Sequence, residues 1–488
     1  MNPEFKNHNR REFLRIGAQG LLTAMLPSGM LWASTEAKRV QTVVIGGGLA
    51  GLSTARNLIR QGVKSVVVLE ARNRVGGRTL NLSLPGGHVV EGGGEWIGPG
   101  QDRIAALAAE VGVETFDSYY SGTGIYEIQG LVSKGLLPEL TMQQGYDFSR
   151  LAWRLQSMAD KLPLGSPWLA DNAKQLDNIT LGNWLKNEGA STWTMDTFRI
   201  ITRAIMAGYP ERISLLWFLH YIQSNGGLLV ICLNDNGLQD LRFVGGSQQV
   251  SINAAKELGN LLHLNEPVIS VNDNNAGPVE VRTSRDVYLA DRVVVAMAPA
   301  DTLRINFESG LTAQRNDLVK KWAGLTRLPI IKHSIIYDKP FWREQGFNGS
   351  VVSDRAPLQL VFDNSPQDKS IGVLTCFLSA AEVPAMASKP DRARLVPQEL
   401  SRYFGVQARN SIGYVEKDWS TDPWSIGCIT PLQNGLISTS GPALRDPVGR
   451  IHWAGTESAI VGCGYMDGAV RSGERAADEV AQSLKIQV

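Results

Sequence analysis

The sequence predicts an α/β fold built on a parallel β-sheet, and three neighbouring segments carry this prediction. Gln41–Ile45 is a short run rich in β-branched residues, which is typical of a buried parallel strand. Gly46–Gly51 follows with the spacing G-x-G-x-x-G, and apolar residues then recur at helical spacing. A second apolar run, Val66–Leu69, ends at the acidic residue Glu70. A strand, a helix and a second strand in this order form a βαβ unit.

Each glycine of this unit has a physical role in holding a dinucleotide. Gly46 permits a tight turn, Gly48 lets backbone N–H groups approach a pyrophosphate, and Gly51 lets the helix pack closely on the strand. Glu70, about 20 residues further on, has the position of an acceptor for ribose hydroxyls. The unit therefore predicts dinucleotide binding, and the alternative is a glycine-rich turn without a cofactor.

Composition and charge exclude several other classes of protein. Hydrophobic residues make up 43% of the 488 residues, which is enough for a large buried core. The formal net charge of +1 gives no support for a surface that binds nucleic acid or acidic membranes. Four cysteines exclude a disulfide-built scaffold, and the six histidines form no pair with metal-ligand spacing. We therefore expect an enzyme-sized globular chain without a metal site.

The first 37 residues have the features of an export signal. Arg10 and Arg11 form a twin-arginine pair, and a mildly apolar run extends from Ile16 to Ala33. This layout resembles a bacterial Tat signal, which exports folded proteins to the periplasm. We expect residues 1–37 to be this signal and the protein to be periplasmic; the alternative is a basic helix that packs on the domain or lies on a membrane.

Four further segments resemble motifs of the flavin-dependent amine oxidase superfamily. Glu70–Thr79 looks like the extended fingerprint of that family, and Gly92–Trp96 resembles its next flavin contact. Near the C-terminus, Ile451–Glu457 resembles the second FAD motif, and Gly464–Val470 leads into a predicted helix. We find no second G-x-G-x-x-G segment for a nicotinamide. The resemblance implies FAD as the cofactor.

The resemblance narrows to the monoamine oxidase branch and implies two domains. Ile331–Trp342 looks like the strand that carries the active-site lysine of that branch, and Asp418–Ile429 matches the segment before the flavin ring. The expected fold is a discontinuous FAD-binding Rossmann-like domain with an α+β substrate domain. The FAD domain takes residues 40–120, 243–300 and 414–485, and the substrate domain takes 121–242 and 301–413. Within the latter, periodicity predicts helices over 151–160 and 192–207 and strands over 358–362 and 372–378.

The resemblance also implies which residues hold the cofactor. The cofactor-binding positions are Gly46, Gly48, Gly51, Glu70, Arg72, Gly77, Arg78, Gly94, Glu95, Trp96, Val268, Trp419, Cys428, Gly455, Glu457 and Met466. Cys428 falls where true monoamine oxidases carry the cysteine that is joined to the flavin as a thioether. We therefore expect covalent FAD, and the alternative is a small buried thiol beside non-covalent FAD.

Lys332 and Tyr465 are the catalytic residues that the resemblance implies. In the family the lysine holds a water against flavin N5, and two aromatic rings flank the amine. Tyr465 matches one ring, whereas Ile429 departs from the other. The remaining positions that match the family's substrate cavity are Ile231, Cys232 and Gln239. The apolar run 228–231 favours an aromatic or long-chain monoamine over a short diamine.

The expected reaction oxidises a primary amine to an imine, which water hydrolyses to an aldehyde and ammonia, while O2 becomes hydrogen peroxide. Two alternatives keep the scaffold: an L-amino-acid oxidase, and an amine dehydrogenase that passes electrons to a periplasmic carrier protein. Lys332 and Cys428 argue against a carotenoid- or porphyrinogen-type desaturase. The non-enzymatic alternative is an escort of the GDI type. The expected partners are the amine, O2 or a carrier, and a second copy in a homodimer, with no nucleic acid and no integral membrane span.

Overall fold

A computed structural model describes residues 36–325, 330–378, 386–425, 427 and 431–485. The predicted export signal, up to residue 35, lies outside the described residues, and so do Cys428 and Ile429. Expectations for these positions therefore stay predictions.

The strands and helices alternate along the chain. The strands are β1 (Lys38–Ile45), β2 (Val66–Leu69), β3 (Asn81–Ser83), β4 (Val89–Glu91), β5 (Thr115–Asp117), β6 (Thr123–Ile128), β7 (Leu131–Gly135), β8 (Leu241–Phe243), β9 (Leu262–His263), β10 (Val268–Asn272), β11 (Val279–Thr283), β12 (Val287–Ala296), β13 (Asn306–Phe307), β14 (Ile331–Tyr337), β15 (Phe347–Ser353), β16 (Leu358–Asp363), β17 (Gly372–Leu378), β18 (Gly413–Asp418) and β19 (Ile451–Ala454). The helices are α1 (Leu49–Arg60), α2 (Asp102–Glu110), α3 (Met142–Ala159), α4 (Ala173–Asp177), α5 (Leu181–Asn187), α6 (Thr192–Met206), α7 (Leu215–Ser224), α8 (Leu228–Cys232), α9 (Gln248–Leu258), α10 (Ala313–Ala323), α11 (Phe341–Glu344), α12 (Lys389–Phe404), α13 (Ile437–Ser440) and α14 (Met466–Ser483).

An eight-stranded sheet contains the predicted βαβ unit. Its strand order is β13-β10-β11-β12-β1-β2-β9, and β19 also pairs with β12. β1 lies parallel to β2 and to β12, and β19 lies parallel to β12. The predicted parallel strands are therefore confirmed. Because these four strands run in the same direction, their carboxyl ends meet at one edge of the sheet, where ligands bind in open α/β folds.

Helices α1 and α14 pack against each other on this sheet, and small residues allow their close approach. A Cβ on Gly473 would lie 2.2 Å from the carbonyl oxygen of Ala50, so only glycine fits at this crossing. The Thr54 hydroxyl donates to the Gly473 carbonyl across the same contact, at 3.1 Å. The predicted C-terminal helix is confirmed, and its first residue, Met466, lies at the cavity described below.

A seven-stranded sheet has the order β18-β14-β17-β16-β15-β6-β7. The strands predicted over 358–362 and 372–378 are β16 and β17 of this sheet. β14 is antiparallel to both of its neighbours, so Lys332 lies opposite Phe377 on β17 and Lys417 on β18. All seven residues of β14 are buried. This strand therefore carries a lysine into the interior of the protein.

A helical layer formed by α3 to α8 packs beside the sheets. The helix predicted over 192–207 is α6, and the helix predicted over 151–160 is the second half of α3. α3 begins earlier because Thr141 and Gln144 form a capping box, in which each side chain bonds to the backbone of the other. α7 is buried on nearly every face, with Trp217 and Phe218 fully enclosed.

The two large sheets do not follow the expected domain segments at every point. β13, inside the segment 301–413, pairs with β10 of the eight-stranded sheet, and β18, which crosses from the segment 301–413 into the segment 414–485, pairs with β14. The domain boundaries themselves stay a prediction. Among the described residues, none of the helices combines the length and apolar character needed to cross a bilayer.

The buried His220 of α7 makes stability depend on pH. Burial lowers the pKa of His220 to about 3 from an ordinary value of 6.5, and the charge of Arg445 adds to the effect. The folded protein keeps His220 neutral, whereas the unfolded chain takes up a proton at this residue below about pH 6.5. The stability that is present above pH 6.5 is therefore lost as the pH falls. From about pH 7.5 to about pH 5, wild type should lose about 2 kcal/mol of unfolding free energy relative to His220→Phe. Urea denaturation at the two pH values measures this difference, and parallel losses in both proteins would contradict it.

Candidate active site

A cavity lies where the carboxyl edge of the eight-stranded sheet meets β14 and β17 of the seven-stranded sheet. Its wall includes Gly46 after β1, Ala296 at the end of β12, Lys332 on β14 and Phe377 on β17. Tyr465, just before α14, also lines it. The cavity therefore touches both large sheets and a helix N-terminus.

The turn after β1 forms a cradle at one end of this cavity. Gly46 has a φ of +110°, and a Cβ there would lie 2.7 Å from the Ala296 carbonyl oxygen. A Cβ on Gly51 would lie 1.9 Å from the Gly46 carbonyl oxygen, so this position allows only glycine. On Gly48, by contrast, a Cβ would meet nothing closer than 3.8 Å and would enter the cavity. The first backbone N–H groups of α1 have no side-chain cap from Gly48, which suits an anion such as a pyrophosphate.

Glu70 is fixed at the end of β2, where its carboxylate lines the cavity. Its Oε2 accepts a hydrogen bond from the Gly47 N–H at 2.7 Å, and its Oε1 accepts one from the Arg72 N–H at 2.8 Å. Each carboxylate oxygen can accept further hydrogen bonds. This geometry suits the hydroxyl groups of a ribose.

Two arginines of the fingerprint line the cavity, and both are held by carboxylates. Arg72 donates to Asp422 at 2.7 Å, and Arg78 forms a bidentate pair with Glu457 at 2.6 and 3.0 Å. Arg72 and the neighbouring Lys417 help to lower the pKa of Asp422 to about 2, against the opposing effect of burial. These pairs join the N-terminal fingerprint to segments more than 300 residues further along the chain.

The structure brings most of the predicted site residues to one cavity. Its lining includes Gly46, Gly48, Glu70, Arg72, Gly77, Arg78, Gly94, Glu95, Trp96, Val268, Trp419, Gly455, Met466, Lys332, Tyr465 and Gln239. Gly51 and Glu457 lie behind the lining, where Gly51 packs α1 and Glu457 holds Arg78. Ile231 and Cys232 do not line the cavity, because Ile231 packs into the helical core and Cys232 is exposed at the end of α8.

Lys332 is buried in the cavity wall. Its ammonium donates to the Gly93 carbonyl at 2.9 Å and to Glu95 Oε2 at 2.7 Å. It also lies 5.3 Å from the ring centre of Trp96 and 5.7 Å from that of Phe377. The side chain of Lys332 is 2% exposed, so this lysine does not lie on a solvent-exposed face of the strand.

Glu95 was expected to contact the cofactor, and the structure also places its carboxylate against Lys332. Burial raises the pKa of Glu95 to about 7, while the Lys332 ammonium acts in the opposite direction. The Asn364 side-chain amide donates to the same carboxylate at 3.1 Å. Because Glu95 lies on a loop 237 positions before Lys332, the sequence carried no signal for this pair.

The end of the cavity near Tyr465 is largely apolar and aromatic. The rings of Tyr465 and Tyr221 have centres 5.9 Å apart and planes tilted by 33°. The neighbouring lining residues are Ala204 and Ile205 on α6, and Leu238 and Gln239 in the segment between α8 and β8. Sequence reasoning missed Tyr221, because α7 is apolar on almost every face and no periodicity distinguishes its cavity side. It also missed Phe377, which the antiparallel pairing opposite Lys332 would have indicated.

Comparison with known proteins identifies this arrangement. A family model for flavin-containing amine oxidoreductases matches residues 49–481. The chain belongs to this family. The AofH protein of Mycobacterium tuberculosis H37Rv is 36% identical over 448 residues, which are 91% of this chain and 97% of that protein. The flavin-containing amine oxidase of Oncorhynchus mykiss is 34% identical over 466 residues, covering 92% of this chain and 87% of its own.

Solved structures of the family have the same fold. Putrescine oxidase bound to putrescine matches with a TM-score of 0.86 at 29% identity, covering 91% of this chain and 100% of that chain. Cyclohexylamine oxidase from Brevibacterium oxydans IH-35A matches with a TM-score of 0.85 at 30% identity, covering 91% and 99%. The protein is therefore an amine oxidoreductase with FAD as its cofactor. The cradle at Gly48 and the carboxylate of Glu70 fit the pyrophosphate and ribose of FAD.

Gly48 and Gly51 should respond differently to the same substitution. Gly48→Val should give a folded protein that does not load FAD, because the new side chain enters the cavity. Gly51→Val should lower the melting temperature strongly, because its Cβ collides with the Gly46 carbonyl. Circular dichroism melting and the ratio of flavin to protein absorbance test both variants. A Gly48→Val protein with a full complement of FAD would show that the cradle is misassigned.

Proposed function

We propose that the protein oxidises primary monoamines with an aromatic or long-chain substituent, using O2 as the electron acceptor. The amine R–CH2–NH2 and O2 give the imine and H2O2, and water then converts the imine to R–CHO and NH3. Two electrons and two protons pass from the C–N unit to O2. FAD supplies the two-electron chemistry when it is bound.

The composition of the cavity wall is the observation that supports a monoamine. A diamine bound at Tyr465 would carry a second ammonium into an apolar region, which is costly unless an anion meets it. Among the described lining residues the carboxylates are Glu70, Glu95 and Asp301. Glu70 is bonded to the backbone of the phosphate turn, and Glu95 is paired with Lys332. Asp301 lies just after β12 and also has an interaction partner.

The two related enzymes are named for different amines: one is a putrescine oxidase and the other is a cyclohexylamine oxidase. The lining near Tyr465 favours the second kind of substrate for this chain. Aliphatic and aromatic side chains there bury an apolar substituent and exclude water from the reacting carbon. The face of the Tyr465 ring offers its negative quadrupole to the substrate nitrogen.

An L-amino-acid oxidase would need a cation for the substrate carboxylate. The described cations of the lining are Arg72, Arg78, Arg304 and Lys332. Arg72, Arg78 and Lys332 each pair with a carboxylate of the protein. Arg304 stacks on Trp424, with its guanidinium 5.8 Å from the ring centre. This arrangement gives more support to an amine than to an amino acid.

Export and covalent flavin attachment also belong to this proposal. The twin arginines support export to the periplasm, where a carrier protein would be an alternative electron acceptor to O2. Cys428 supports a thioether to the flavin through its resemblance to monoamine oxidases. Flavin fluorescence that stays with the protein band on a denaturing gel would support the bond, whereas release of free FAD would exclude it.

A panel of amines tests the substrate class. Anaerobic bleaching of the flavin should be faster with benzylamine than with putrescine by on the order of tenfold or more, because the second ammonium of putrescine lacks an anionic partner. L-Phenylalanine, which adds a carboxylate to the same kind of aromatic amine, should react more slowly than phenethylamine. Faster bleaching by putrescine or by L-phenylalanine would overturn the monoamine assignment.

Lys332→Met tests the proposed role of this residue in the reaction with O2. Loss of the ammonium should slow reoxidation of the reduced protein at least about tenfold, while anaerobic reduction by amine changes less. Stopped-flow absorbance measures the two half-reactions separately. Lys339→Met is a matched control, because Lys339 follows the same strand but pairs with Glu344 at the surface. A larger effect on reduction than on reoxidation would refute the role.

A further inference from the structure

The ion pair between Lys332 and Glu95 is completely enclosed. The Lys332 Nζ lies 2.7 Å from Glu95 Oε2, and the two side chains are 2% and 0% exposed. Moving two charges from water into the interior is unfavourable unless each is matched by close partners. Lys332 satisfies this condition through Glu95 and the Gly93 carbonyl.

Glu95 belongs to a buried cluster in which the Asn364 amide joins two carboxylates, each paired with its own cation. The Asn364 amide donates to Glu95 at 3.1 Å and to Glu91 at 3.3 Å. Glu91 in turn pairs with Arg242 at 3.0 Å. The charged groups that act on Glu95 are therefore Lys332, Glu91 and Arg242, and the hydroxyl of Tyr120 lies within electrostatic range. Within the described residues, Glu95 Oε1 is buried and has no hydrogen-bond partner.

We propose that Glu95 is a positioning residue that fixes the Lys332 ammonium in the cavity wall and supplies the anion that offsets its charge during catalysis. The inference rests on the proposed role of Lys332 in the reaction with O2. A buried ammonium without an anion loses its proton readily, whereas a carboxylate at hydrogen-bond distance favours the charged form. The neutralised pair also leaves no net charge to repel a cationic amine that enters the cavity.

Glu95→Gln separates the charge of this residue from its shape. The amide of glutamine keeps the size of the side chain and an oxygen that accepts from Lys332. It removes the negative charge, so Lys332 loses the anion that faces its ammonium. Glu91→Gln is the matched control, because it makes the same chemical change at a buried site of the same cluster that pairs with Arg242 instead of Lys332.

The experiment measures the reaction with O2 across the pH range after the bound flavin has been reduced by dithionite. No amine is needed, so failure of the substrate assignment does not affect it. In wild type the rate constant should follow a pH profile that falls on the alkaline side. In Glu95→Gln this alkaline limb should move to lower pH by about one unit or more, whereas Glu91→Gln should keep the wild-type profile.

A Glu95→Gln profile that coincides with wild type, or a wild-type rate without an alkaline limb, would overturn the proposal. An equal shift in Glu91→Gln would also overturn it, because the effect would then belong to the whole cluster. Loss of FAD from Glu95→Gln at full stability would assign the residue to cofactor binding instead. A wild-type rate in Lys332→Met would instead refute the proposed role of the lysine.

A melting-temperature cycle tests the pair even if one variant folds poorly. Glu95→Gln and Lys332→Met should each lower the melting temperature, because each leaves a buried charge without its partner. The double variant should be more stable than the sum of the two losses predicts. Strictly additive losses would show that the two side chains do not act as a pair, and would overturn the proposal.

Discussion

The tight turn between β1 and α1 is the constraint on which the rest of the site depends. The absence of side chains at Gly46 and Gly51 lets the strand, the helix and the end of β12 come within contact distance. This approach directs the N-terminus of α1 towards the cavity, where Gly48 forms part of the lining. The helix dipole and the free N–H groups then favour a pyrophosphate at this point. The positions of Glu70 and Arg72 follow, because both are anchored to the neighbouring strand end.

The seven-stranded sheet supplies the buried lysine of the cavity, whereas the eight-stranded sheet supplies the turn that fits the dinucleotide. β14 carries a single lysine into a wall of aromatic and aliphatic side chains, where a carboxylate from an early loop neutralises it. The arginines of the wall are likewise paired with Asp422 and Glu457. The described part of the cavity is therefore close to electrically neutral, although it contains many charged groups. A neutral, largely apolar wall suits a substrate that must lose its charge before it reacts.

Local patterns in the sequence predicted the parts of the fold that depend on neighbouring residues. The βαβ unit and the C-terminal helix follow from hydrophobic periodicity and motif spacing, and the lysine strand follows from the family resemblance; the structure contains all three. The pairing of Glu95 with Lys332 could not be predicted, because it depends on how two distant segments meet. Tyr221 was missed for a related reason: α7 is apolar all round, so the sequence does not indicate which face lines a cavity.

Most of the motif residues line the cavity, whereas the substrate-binding positions inferred from the family resemblance do so only in part. Gln239 lines the cavity, whereas Ile231 and Cys232, at the end of the short helix α8, do not. Gln239 lies beyond the end of this helix, in the segment before β8, so one structural element does not hold all three positions and they need not face the same space. Cys428 and Ile429 lie outside the described residues, so their roles stay predictions from the sequence.

A crystal structure of the holoprotein with an aromatic amine would test the central claim most directly. The account predicts the isoalloxazine ring between Lys332 and Tyr465, the pyrophosphate at the N-terminus of α1, and the amine nitrogen beside the Tyr465 ring. The Lys332 ammonium should stay in contact with Glu95. A flavin ring bound elsewhere, or a lysine turned away from both the ring and Glu95, would contradict the account.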